Sequence, residues 1–140
     1  MAHPRAVLPL LLLAALSCSD AVAPLPLPDG AVRFTPDPIY REWWAQVEDC
    51  AGSTGDFDAV EWYVVPGDRA FYAPGLDRKV LGYWDPGSNR IVVLEWVPSA
   101  SALVRHEMLH AILRETGHPA EYFERRCGPV ISGPGLPAPH

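Results

Sequence analysis

Proline is spread so unevenly along this chain that it marks the limits of what can fold. Of sixteen prolines, five stand at 24, 26, 28, 36 and 38, and four more fall between Gly128 and His140. Proline lacks a backbone N–H and fixes φ, so neither stretch suits the interior of a helix or sheet. Ser19 to Pro38, rich also in Ala and Leu, reads as an extended tether. Gly128 to His140, with three glycines as well, reads as a frayed tail. About ninety residues lie between them, enough for one small core and not for a second domain.

Within that span the hydrophobic periods change. Tyr40 to Ala51 has helical spacing, with Trp43, Trp44, Val47 and Cys50 on the core side, Asp37-Pro38 as N-cap and first residue, and Gly52 as the stop. Val60 to Val65 alternates and runs into Pro66-Gly67, a strand entering a turn. Lys79 to Trp84 and Arg90 to Val97 flank Asp85 to Asn89 and read as a β-hairpin with a five-residue loop. In the second of these strands Ile91, Val93, Glu95 and Val97 share one face, and Val92, Leu94 and Trp96 the other. Pro98 closes it, and Ser99 or Ser101 caps the next helix. The expected class is α+β: an N-terminal helix, a three-stranded antiparallel sheet, a second helix and a short last one.

That second helix, Leu103 to Glu115, carries His106-Glu107-Met108-Leu109-His110. Residues four apart share a helix face, so both imidazoles can bind one metal ion, with Glu107 on the flank in reach of a water there. With His106 at zero, His110 falls at about 40° and Glu107 at about 100°. Val104, Met108, Ala111 and Ile112 fall on the opposite side and give the helix an apolar back. Two neutral imidazoles and a third protein ligand suit zinc, with one position left for water. Glu107 is the candidate catalytic base, and Zn2+ the expected cofactor.

The third ligand is open among His118, Glu121 and Glu124, with His118 the leading candidate. A helix continued through His118 would carry that side chain about 12 Å beyond His110. A reversal at Gly117 in the left-handed conformation, with Pro119 starting another short helix, swings His118 back. Tyr83 and Tyr122 are candidate oxyanion donors, although a structural tyrosine is the commoner case.

These residues resemble the zincin superfamily of zinc metallopeptidases. The resemblance covers about Asn89 to Cys127 and rests on the His106–His110 box, then Gly117-His118 and Phe123. The spacing differs from that of metzincins, since Leu113 occupies their glycine place and Thr116 their third-histidine place. It is closer to the SprT-like group, in which a Gly-His and a nearby Phe follow the box. The resemblance implies peptide-bond hydrolysis and an antiparallel strand beside the metal helix, offering its edge to an extended peptide substrate.

The N-terminus reads as a targeting segment. His3 and Arg5 precede an apolar run from Ala6 to Leu16 that is too short to span a bilayer. Cys18 follows the run after Ser17, and the segment resembles a bacterial lipoprotein signal with a lipidated cysteine; an ordinary secretory signal is the alternative. The expected division is signal 1–17, lipidated tether 18–36, domain 37–128 and tail 129–140. Cys50 and Cys127 remain to form a disulfide in an oxidising compartment. The formal charge is −6. Without basic clusters, that excludes nucleic acid as a partner and electrostatic docking on anionic lipid. The expectation is a zinc metallopeptidase held at the bacterial envelope by its lipid; the alternative is a non-catalytic metal- or partner-binding lipoprotein on the same scaffold.

Overall fold

A computed structural model of the chain describes residues 21–95 and 100–132; Cys18, Trp96, Val97 and Ser99 lie outside them. The first helix, α1 (Ile39–Ala51), starts after Pro38, with no side chain capping it. Gly52 stops it with φ 65°, its N–H donating to Glu48 C=O at 2.8 Å. Trp44, Val47 and Ala51 are buried, as the helical spacing requires.

The sheet differs from expectation. It has four strands in the order β1-β2-β6-β5, namely β1 (Val32–Arg33), β2 (Glu61–Val65), β6 (Arg90–Leu94) and β5 (Gly82–Asp85). β2 and β6 run parallel, while β1 with β2 and β5 with β6 are antiparallel. A parallel neighbour needs a long crossover. The chain between β2 and β6 supplies it by forming a separate hairpin, β3 (Phe71–Ala73) with β4 (Arg78–Val80), and then β5. Lys79 to Trp84 is therefore two strands broken at Leu81, with Val80 packed on one side of the sheet and Leu81 on the other. Asp85 pairs with Arg90, so the hairpin loop is Pro86 to Asn89, one residue shorter than expected.

Both faces of the sheet are covered. Ile91 and Val93 join Trp62, Trp84, α1 and the box helix in the main core. Val92 joins Val65, Ala73 and Tyr83 in a smaller core, on which Leu25, Leu27 and Ala31 also pack. The stretch expected to be a free tether is therefore part of the fold from about Leu25. Asp85, 1% exposed, accepts the Leu25 N–H at 3.1 Å, and the Arg90 guanidinium donates to Leu25 C=O at 3.3 Å. Arg90 also pairs with Asp85 at 3.4 Å, so the buried carboxylate is matched.

The far end also extends beyond the expected boundary. Gly128–Ile131 forms a short helix, α3, that buries Ile131, and Val130 C=O accepts from Arg105 at 2.6 Å. Cys50 and Cys127 form a disulfide with Cα atoms 5.2 Å apart, tying α1 to the start of α3. Such a link contributes about 2–4 kcal/mol, chiefly by restricting the unfolded chain.

The box helix, α2 (Ala100–Leu113), begins before and ends before the expected limits. Ser101 lies inside it and so does not cap it. The apolar back is as the angles required, with Val104, Met108, Ala111 and Ile112 buried. The front is not a solvent face: Glu107 and His110 are only 5% and 6% exposed. β5 covers this helix closely. A Cβ at Gly82 would sit 3.2 Å from Val92 O and 3.3 Å from Leu103 Cδ1, so glycine permits the approach.

Candidate metal centre

The centre is built where α2 ends. Arg114, with φ 56°, takes the left-handed conformation, and the Glu115 N–H reaches back to His110 C=O at 3.2 Å. This is a Schellman-type stop in which the residue after the helix turns the chain. The expected reversal at Gly117 is therefore corrected to Arg114, three residues earlier. An arginine holds this conformation because its guanidinium donates to Asn89 Oδ1 at 2.9 Å and lies 5.2 Å from the Trp84 ring. Both contacts offset the roughly 1–2 kcal/mol cost of left-handed backbone. The early turn sends Thr116 to Pro119 back alongside the last turn of α2.

His118 thereby meets the two histidines of the box. The Nε2 atoms lie 3.0 Å apart for His106 and His118, 3.2 Å for His110 and His118, and 3.3 Å for His106 and His110. Two ligand nitrogens about 2.0–2.1 Å from a tetrahedral ion stand about 3.3–3.4 Å apart, so this triangle is close to a zinc-sized seat. The tautomers point the same way. His110 Nδ1 lies 2.6 Å from Glu115 C=O, an acceptor only, so the proton is on Nδ1 and the Nε2 lone pair faces inward. Three imidazole nitrogens this close without a cation would turn at least one like pair, two lone pairs or two N–H groups, on each other. These three side chains form a group able to hold a metal ion.

Phe123 seals the cluster from the protein side, with its ring centroid 5.1, 4.6 and 4.7 Å from those of His106, His110 and His118. It sits in a π-helical turn, Glu121–Arg126, opened by Pro119, whose C=O accepts from the Tyr122 and Phe123 N–H groups. Cys127 follows, so the disulfide anchors the element that carries Phe123.

Burial decides the protonation states. It holds the His106 imidazole down at about 3 and His110 at about 4, with the neighbouring histidines adding to the effect; His118 is lowered too, by burial and then by Arg78. All three are neutral near pH 7, the form that binds metal. Burial drives the Glu107 carboxyl the other way, up to about 8, against a hydrogen bond from the Trp84 backbone and the charge of Arg78. Neither Arg78 nor Trp84 was singled out for the site from the sequence; each comes from a strand more than twenty residues upstream, and no local pattern links them to the box.

Comparison with family models, curated proteins and solved structures finds no match for this chain.

The other candidates fall elsewhere. Glu121 accepts twice from the Arg125 guanidinium, at 2.8 and 2.9 Å, and both it and Glu124 are exposed and outside the histidine group. Tyr83 is buried in the small core on the far face of the sheet, where burial pushes its hydroxyl up to about 12. Tyr122 packs against the main core beneath the Arg126 guanidinium. Neither tyrosine belongs to the cluster around the histidines.

Proposed function

We propose that the chain is a zinc-dependent hydrolase acting on peptide bonds, with His106, His110 and His118 as zinc ligands and Glu107 as general base. The observation that carries the reading is the convergence of three imidazole nitrogens, with a buried glutamate directly following His106 in the helix. His106, His110 and His118 would hold a zinc ion, which would supply Lewis-acid chemistry toward a carbonyl and a bound water. Glu107 accepts the proton from the attacking water and passes it to the leaving amine. A nearby dication favours its ionised form, so a glutamate that is protonated in the metal-free protein becomes a base when the site is loaded.

β5 ends the four-stranded sheet and packs on α2. The Leu94 N–H donates to Leu81 C=O at 2.8 Å, and the register then alternates, so Gly82 and Trp84 turn their backbone groups away from β6. The Trp84 N–H donates to Glu107, so β5 holds the candidate base in place. This arrangement also supports the zincin resemblance.

The test is metal content and turnover. The protein should hold one zinc per chain, and chelation should abolish peptide hydrolysis. Glu107→Gln should keep the zinc and lose at least about 10²-fold in turnover. If wild type and Glu107→Gln both hold zinc and are equally inactive on a broad peptide library, the alternative of a non-catalytic metal-binding module takes over. Among the described residues no helix is long and apolar enough to cross a membrane. We place the protein at the bacterial envelope through a lipid on Cys18; a mature N-terminus found unmodified, or starting after residue 18, would remove that anchor.

A further inference from the structure

Glu115 makes three ties at the turn between His110 and His118, and each acts on a different part of the centre. Its N–H closes the end of α2 on His110 C=O at 3.2 Å. Its C=O accepts from His110 Nδ1 at 2.6 Å, which fixes that ring's orientation and tautomer. Its carboxylate Oε1 accepts the Gly117 N–H at 2.8 Å, two residues on and directly before His118. The side chain is exposed, so it contributes little to the core.

A turn of four residues between two ligands is a weak point. Arg114 bends the chain once, but Thr116 and Gly117 are exposed and have no helix or strand to hold them. Glycine before His118 adds backbone freedom, which must be lost each time His118 is presented. A carboxylate bound to the Gly117 N–H removes that freedom in the direction that keeps His118 over His110. A Cβ at Gly117 would lie 3.2 Å from the same Oε1, so the carboxylate is packed against the glycine as well as bonded to it.

We propose that Glu115 is a positioning residue of the metal centre, latching the 114–118 turn through its carboxylate so that His118 stands ready as third ligand to an ion already seated on His106 and His110. The inference rests on the reading of the three histidines as a metal site. The carboxylate holds the residue before a ligand and not the ligand itself, so its loss should cost less than that of a direct partner, on the order of 3–10-fold in metal affinity. Glu115→Ala removes the latch. Glu115→Gln keeps an amide oxygen able to accept from the Gly117 N–H and restores most of the effect.

The experiment is competition titration of the full chain with Zn2+ against a chromophoric chelator, with Co2+ loading as a spectroscopic readout. Melting temperatures are recorded with and without metal. Glu115→Ala should bind Zn2+ about 3–10-fold more weakly, with the Gln variant within about twofold of wild type. The metal-free melting temperature of Glu115→Ala should match wild type while its metal-induced rise shrinks. The visible bands of its Co2+ form should weaken as the three-histidine tetrahedral geometry loosens. Unchanged affinity in Glu115→Ala overturns the proposal. So does a Gln variant as weak as the Ala variant, or an equal fall in melting temperature with and without metal, which would mark a general structural role. Wild type that takes up neither ion instead brings down the metal-site reading itself, and this inference with it.

Discussion

Glu107 and the histidines around it are pushed in opposite directions by the same burial. A carboxylic acid loses its charge when desolvated and an imidazole loses its own, so in the metal-free protein near pH 7 all four groups are neutral. On the proposed reading, a dication would need only lone pairs from the histidines and would draw a proton from Glu107. Zinc binding at pH 7 should therefore release about one proton more from wild type than from Glu107→Gln. Because the glutamate is raised to about 8, the difference belongs to the window between its ordinary value and about 8, and should vanish by about pH 9. Titration calorimetry in buffers of different ionisation heat measures it. Equal proton release from the two proteins at pH 7 would show that metal binding leaves the ionisation of Glu107 unchanged. The box itself was plain in the sequence, since i, i+4 spacing on a helix is local geometry. The choice among His118, Glu121 and Glu124 was not, because it depends on where the chain turns.

At the scale of elements, that turn is set by Arg114 rather than by the glycine that sequence preference favours. Glycine is the usual left-handed residue because it has no Cβ, but the preference is worth only about 1–2 kcal/mol, and tertiary contacts can outweigh it. Here they come from Asn89 and Trp84, both from the β5–β6 hairpin. Arg114→Gly trades those contacts for relaxed backbone and should stay within about 1 kcal/mol of wild type. Arg114→Val loses the contacts and puts a β-branched residue where φ is positive, so it should cost on the order of 2 kcal/mol and weaken zinc binding by misplacing His118. Chemical denaturation of the two variants checks the order; a valine variant as stable as the glycine one would contradict it. The period of α1 was legible because amphipathic spacing is written within it, and α2 was legible through its i, i+4 box, since its residues are buried on nearly every side. The parallel pairing of β2 with β6 was not, because nothing within either strand names its neighbour.

For the whole molecule, the unexpected feature is a sheet with two buried faces, the second covered in part by the proline-rich segment. Its prolines keep most of that segment out of sheet and helix, Val32–Arg33 alone pairing as β1, but do not keep it off the surface of the sheet. Leu25 and Leu27 pack on the small core, and the Leu25 N–H meets the buried Asp85. A chain begun at Ala31 should be less stable than one begun at Ala21 by on the order of 2 kcal/mol, from apolar area exposed and a buried carboxylate left short of a donor. A urea midpoint unchanged by the truncation would show that the packed segment adds nothing.

The amino-acid order alone determined the box helix, its apolar back, the Cys50 and Cys127 pairing and the α+β class, because each follows from spacing or from counting. Tertiary structure alone decided that β2 and β6 lie parallel, that the domain reaches beyond 37–128 at both ends, and that Arg114 and Glu115 shape the turn that brings His118 to the box. Those outcomes depend on contacts between residues far apart in the chain. Such contacts exist only once the sheet has formed against α2 and covered its polar front.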